Sequence, residues 1–264
     1  MVIFRKKEEV DLNINDLRDK KREMGYTDED IAFKTGIPLE EVRQVFSGDM
    51  RIPRYDTLVA IVNLFEINED ILNDGYGENI TLDDYYAAPD DIRVEIIDGV
   101  IYYMATPVLT HQSVIAGLFR EFNKCDDKMR KKGCKLFLSP TGVRLNRDSR
   151  TIVVPDLLIL CRKLENLKWI EGAPDFVVEV LSPSTRRMDM TIKLRKYMEA
   201  GVREYWIIDY NKNRITVYDF SKGPDGKDYT FEDKIPVAIS NGDCEIDMKN
   251  VKEYVLESVD MMTE

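Results

Sequence analysis

The chain has 264 residues, a formal net charge of -11, four cysteines and a single histidine, enough length for one large or two modest domains. It holds no apolar run near the roughly 18 residues of a membrane-spanning helix, and its start, MVIFRKKEEV, lacks the basic-then-apolar layout of a secretory signal, so the expected location is the cytoplasm. Cys125, Cys134, Cys161 and Cys244 lack the close spacing of a zinc site and are expected as reduced thiols, whereas abundant Asp and Glu leave oxygen-ligated Mg²⁺ or Mn²⁺ open.

Residues 1–75 read as helical, with stop signals at Gly25, Gly36, Pro38, Gly48 and Pro53 and no strand pattern. Asn73 to Asn79 fit a linker. From about residue 92 the pattern becomes β-branched and aromatic: IRVEI, an Asp98-Gly99 turn, then VIYYM, which is a hairpin signal. A helix is expected from about His111 to Lys131, followed by strands near 135–145, 151–161 and 175–181. A further helix is expected from Asp189 to Ala200, then strands at 204–209 and 214–220. The expected architecture is therefore a small all-α domain, residues 1–75, preceding an α/β domain, residues 76–264.

Within the first domain, Thr27 or Asp28 caps one short helix, Gly36 breaks it, and Pro38 and Gly48 bound a second. Ile31, Ile37, Val42, Val45, Leu58 and Ile61 supply a small core. This is the layout of a helix-turn-helix, whose second helix enters a major groove. Over about forty residues, including Thr35-Gly36-Ile37, Ser47-Gly48 and Pro53 with Thr57-Leu58, it resembles the Cro/Xre-type domain. The resemblance implies DNA contact through Arg43, Gln44, Arg51 and Arg54. Glu40 and Glu41 also lie on the second helix, and residues 1–75 carry 11 basic against 17 acidic side chains. A like-charged surface loses affinity for phosphate, so DNA binding and a protein contact such as dimerisation both stay open.

In the second domain, Ile152 to Leu160 and Phe176 to Leu181 are near-continuous apolar runs, as in strands covered on both faces, yet each carries one carboxylate, Asp156 and Glu179. Buried carboxylates need a partner. With Lys193, Arg195 and Lys196 on the helix that follows, the pair suggests a shared divalent cation with a nearby lysine.

The run EGAPDFVVEVLSPSTRRMDMTIKLRKYMEAGVREYWIID, with the earlier VEIIDGVIYYMATPVLTHQSVIAGL and TIVVPDLLIL, resembles the Uma-type restriction endonuclease family of the PD-(D/E)XK superfamily over roughly residues 80–220. The resemblance implies a restriction-endonuclease-like mixed β-sheet flanked by helices and Mg²⁺- or Mn²⁺-dependent hydrolysis of DNA phosphodiesters. Pro155-Asp156 matches the P-D element and Glu179 the acidic member of the next. Leu181 stands where the in-line lysine belongs, so the lysine is expected from the helix, as Lys193 with Lys196 in reserve. Glu95 and His111 match family positions and are expected to support the metal, the alternatives being a solvated strand residue and a helix cap. Tyr197, Tyr205 and Trp206 are read as core aromatics, and Ser184 or Thr185 as phosphate contacts.

Dividing the charge by region alters what the total implies. Residues 120–150 hold 10 basic and 4 acidic side chains and residues 186–203 hold 6 and 2. The total of -11 is thus compatible with a DNA partner, and two cuts on antiparallel strands make a homodimer the expected assembly.

Overall fold

The computed structural model describes residues 12–183 and 185–260; among these no helix is long and apolar enough to cross a membrane. The chain forms two compact units, Met1–Met104 with Ser149–Ile152, and Ala105–Asp148 with Val153–Glu264.

The first unit begins with helices α1 (Ile14–Met24), α2 (Asp28–Thr35), α3 (Leu39–Ser47) and α4 (Tyr55–Leu64). Thr27 and Asp30 form a reciprocal capping box that starts α2, and Gly36 and Gly48, at φ 78° and 88°, end α2 and α3 in the left-handed conformation that only glycine adopts without penalty. Ile31, Val42, Val45, Leu58 and Ile61 are buried together, with Ile37 packed against them.

A short helix α5 (Leu82–Ala87) and the hairpin β1 (Val94–Ile97) and β2 (Val100–Tyr103) complete this unit. Asp98 and Gly99 both take positive φ, 55° and 85°, as a two-residue hairpin turn of the right twist demands. The compact unit therefore extends past residue 75 through the hairpin. The reason is apolar: Val94, Ile96 and Ile101 share one cluster with the helical core, and the Tyr103 hydroxyl donates to the Pro53 carbonyl at 2.7 Å.

The second unit opens with α6 (Leu109–Asn123) and α7 (Asp126–Lys131), so the single helix expected over 111–131 is broken near Cys125. Strands β3 (Lys135–Leu138), β4 (Val143–Arg144), β5 (Leu157–Leu160), β6 (Ile170–Glu171) and β7 (Phe176–Val180) follow. The strand expected over 151–161 shortens to β5, because Pro155 has no N–H for a ladder. Next come α8 (Arg186–Met188), one wide i→i+5 turn (Asp189–Lys193) and α9 (Leu194–Ala200), then β8 (Glu204–Asp209), β9 (Arg214–Asp219), β10 (Gly226–Tyr229), β11 (Lys234–Pro236), β12 (Glu245–Asp247) and α10 (Met248–Asp260).

The main sheet has the order β10-β9-β8-β7-β5-β3. Only β7 and β8 run parallel, which requires a crossover connection, and α8–α9 supply it. Alternation sorts the two faces: Phe176, Val178, Trp206 and Ile208 share a core with Val114, Leu118 and Phe122 of α6 and Val251 and Val255 of α10. The ring centroids of Phe122, Phe176 and Trp206 lie 5.3–6.2 Å apart in this core. Glu179 and Tyr205 occupy the other face, against the crossover helix.

The expectation of reduced thiols is corrected. Cys125 is bonded to Cys244 and Cys134 to Cys161. Cys134 and Cys161 are the next pair along the β3–β5 register after Lys135 and Leu160, a proximity that topology creates and sequence spacing conceals. A disulfide typically contributes about 2–4 kcal/mol. Cys244→Ser should cost that amount in urea unfolding under oxidising conditions, and the difference from wild type should vanish in excess dithiothreitol.

Glu204 is wholly buried on the β8 side of the core, accepting from Trp206 Nε1 at 2.8 Å and the Ile239 N–H at 3.1 Å. Burial raises its carboxyl above the ordinary 4.5, against the pull of those donors. A raised carboxyl favours the protonated fold, so its stabilising contribution is full below pH 4.5 and is lost as pH rises through the folded value. The urea midpoint of wild type relative to Glu204→Gln should therefore fall as the pH is raised from below 4.5 toward neutrality.

Candidate active site

β5 and β7 are antiparallel, with Leu157 opposite Val178. One step further along this register puts Asp156 opposite Glu179, on the same face, where Cβ atoms of such pairs lie roughly 4.5–5.5 Å apart. The Val180 N–H donates to Asp156 Oδ2 at 2.8 Å, and His111 Nε2, from the first turn of α6, lies 3.2 Å from the same oxygen. Among the described residues no hydrogen bond falls on Oδ1, and the Asp156 side chain is 15% exposed.

The second half of the site is buried. Lys193 Nζ lies 2.9 Å from Glu179 Oε1 and 3.4 Å from Asp189 Oδ1, and the Tyr197 hydroxyl donates to Glu179 Oε1 at 2.7 Å. Glu179, Asp189 and Lys193 are each at most 4% exposed. Lys193 and Tyr197 lie four residues apart, hence on one helical face, and the wide turn Asp189–Lys193 sets that face toward β7. Such turns inside helices are frequent at functional sites. The Tyr205 hydroxyl donates to the Asp189 carbonyl within that turn, at 3.1 Å.

Charge couples the two halves. Burial opposes protonation of His111, but the hydrogen bond and charge of Asp156, the Val180 backbone and the Asp189 charge together raise its pKa above the ordinary value. Burial drives the Tyr205 phenol well up, and the charges of Asp189 and Glu179 add to that.

Of the residues singled out by sequence, Asp156 and His111 meet, as do Glu179 and Lys193. Lys196, the reserve, is also buried; Lys193 lies 2.9 Å from Glu179. Glu95 is fully buried in β1, opposite Tyr102; it belongs to the first unit, where its charge adds to burial in raising the Tyr85 phenol. His111 sits inside α6 and is not its cap. Thr185 closes the turn into α8 through a 3.0 Å hydroxyl contact with Ser182, and Ser184 lies outside the described residues. Asp189, four residues before Lys193, marked that lysine in the sequence and lies 3.4 Å from it; sequence reasoning missed the contact of Tyr197, taken as core, with Glu179, for which the next four-residue step was the available signal.

The donor set suits a hard divalent cation. Among the described residues no group of three or more His, Cys, Asp or Glu side chains forms a cation cage. Mg²⁺ does not require one, since it commonly keeps several waters and binds through one or two carboxylates plus substrate phosphate.

In the helix-turn-helix each expected DNA contact has an internal partner. Arg43 pairs with Glu29 at 2.8 Å, and Gln44 donates to Glu40 at 3.2 Å. Arg51 donates to the Glu78 and Asn79 carbonyls at 3.0 Å, and Arg54 pairs with Asp91. Exposed ion pairs are worth only about 0–1 kcal/mol, so a phosphate can displace them.

Fold and site together define a nuclease-like α/β protein with a helix-turn-helix module. The chain belongs to the Uma2 family, whose model, described as "Putative restriction endonuclease", matches residues 82–234; a "Helix-turn-helix" model matches residues 17–72. Among solved structures it is similar to a "putative nuclease belonging to DUF820" from Anabaena variabilis, with a TM-score of 0.55 and 19% identity, covering 67% of this chain and 99% of that one. At that identity the likeness establishes the fold alone. No curated protein matches significantly.

Removing the lysine takes away a cation that both buried carboxylates share. Lys193→Met should cost about 3–5 kcal/mol in urea unfolding, and adding Glu179→Gln should recover part of that loss in a double-mutant cycle.

Proposed function

We propose that the protein is a Mg²⁺- or Mn²⁺-dependent endodeoxyribonuclease that hydrolyses phosphodiester bonds, with residues 76–264 as the nuclease module and residues 1–75 positioning the substrate. The observation that carries this reading is the pair of cross-strand carboxylates, Asp156 and Glu179, with Lys193 held on Glu179. Asp156 and Glu179 would hold the cation, which when bound polarises the scissile phosphate and lowers the pKa of water.

The chain's own groups divide the remaining work. The Val180 N–H and His111 hold one oxygen of Asp156, so that the other points to the ligand side. Lys193, on a flexible four-carbon stem, turns from Glu179 to the phosphate, where its charge offsets the negative charge that develops. His111 stays hydrogen-bonded to Asp156 and keeps that carboxylate oriented. Because an intact duplex offers two antiparallel strands, we place two copies of the site in a homodimer related by a two-fold axis.

The internal pairing of Arg43 and Arg54 supports a weak, displaceable grip on DNA by the helix-turn-helix and leaves room for a protein contact there. Supercoiled plasmid incubated with millimolar Mg²⁺ or Mn²⁺ tests the reaction: wild type should nick or linearise it, and Asp156→Asn should lose at least about 100-fold in rate. Failure of wild type to cut duplex, branched or single-stranded DNA would refute the nuclease reading. Combined Arg43→Ala and Arg54→Ala should reduce the slope of log affinity against log salt by about 2 if both reach phosphate, and leave it unchanged if the module contacts protein.

A further inference from the structure

We propose that Tyr197 is a positioning residue of the site: its hydroxyl keeps the Glu179 carboxylate in place when Lys193 leaves that carboxylate for the substrate. The inference rests on the nuclease reading above and assigns a task to a side chain that sequence pattern would leave in the core.

Glu179 Oε1 accepts from two donors, Lys193 Nζ at 2.9 Å and the Tyr197 hydroxyl at 2.7 Å. A carboxylate oxygen has about two lone-pair sites, so this oxygen is filled. The two donors differ in mobility. Lys193 has a four-carbon stem and a second partner, Asp189, at 3.4 Å, so it can change partners without losing all charge compensation. Tyr197 has only two side-chain torsions, is wholly buried, and has its ring wedged against Tyr205 at 5.0 Å between centroids and 58° between planes. Tyr205 is fixed in turn by its hydrogen bond to the Asp189 carbonyl.

A lysine that serves both as counter-ion and as a group for substrate contact must release Glu179 at some stage. Were it the sole anchor, the carboxylate would lose its orientation at the moment the site needs it. The rigid phenol removes that conflict, because its hydrogen bond does not depend on where Lys193 points.

The test uses the full chain as Tyr197→Phe, which deletes only the hydroxyl. Mn²⁺ binding is read by calorimetry without DNA, alongside plasmid cleavage as a function of metal concentration. Loss of an outer hydrogen-bond partner of a ligand commonly costs 10–100-fold in metal affinity, so Mn²⁺ affinity should fall by about that factor and the cleavage rate should recover in part at saturating metal. Tyr205→Phe, which loses an equally buried hydroxyl that does not touch Glu179, should retain wild-type affinity. Tyr197→Phe binding within about twofold of wild type would overturn the inference, as would an equal loss in Tyr205→Phe, which would mark general loosening of the helix. If wild type itself binds no Mn²⁺, the nuclease reading falls and this inference with it; if wild type binds and Tyr197→Phe matches it, the inference alone falls.

Discussion

Burying Glu179, Asp189 and Lys193 together constrains how the second unit can fold. Each charge alone would cost several kcal/mol of desolvation, and two carboxylates without a cation would repel one another. Lys193 meets both, at 2.9 and 3.4 Å, and the surrounding structure is arranged so that it can. β7 must be central, β8 must run parallel beside it, and the crossover between them must be a helix that returns over Glu179. The wide turn at Asp189–Lys193 sets the helical face, and the Tyr205 hydroxyl bonds the Asp189 carbonyl there.

Two residues after Glu179 stands Leu181, not a lysine. Residues i and i+2 of a strand share a face, so a lysine at position 181 would stand beside Glu179 with little freedom. Leu181 instead closes the strand, its N–H donating to the Ile208 carbonyl at 2.8 Å. A lysine borne by the crossover helix approaches Glu179 from above the sheet and brings its own second carboxylate, Asp189. The result is a charge that is buried and compensated by two carboxylates, Glu179 and Asp189.

The readable parts of this design were local. Asp98-Gly99 announced the hairpin because few dipeptides tolerate positive φ twice, and the apolar runs around Asp156 and Glu179 announced covered strands with a carboxylate in each. Lys193 came from the family resemblance, with Lys196 in reserve, and the structure places its Nζ 2.9 Å from Glu179. Other features arise only when distant segments meet. The Cys125–Cys244 bond joins residues 119 apart, and nothing local distinguishes such cysteines from buried thiols. The hairpin's packing with the helical core depends on side chains from residues 12 to 101, which composition divides at the linker. Tyr197 looked like a core aromatic because it is one; its hydroxyl also reaches Glu179, at 2.7 Å.

Charge distribution follows a comparable logic in the helix-turn-helix. A recognition surface with free arginines beside Glu29, Glu40 and Asp91 would be unstable as a set of unpaired charges, and pairing Arg43 and Arg54 with these acids resolves it at little cost because both sides remain near water. A phosphate must then compete with a carboxylate at each contact. Competition of that kind lowers affinity everywhere along DNA without favouring one sequence, since phosphate contacts carry register and no base identity.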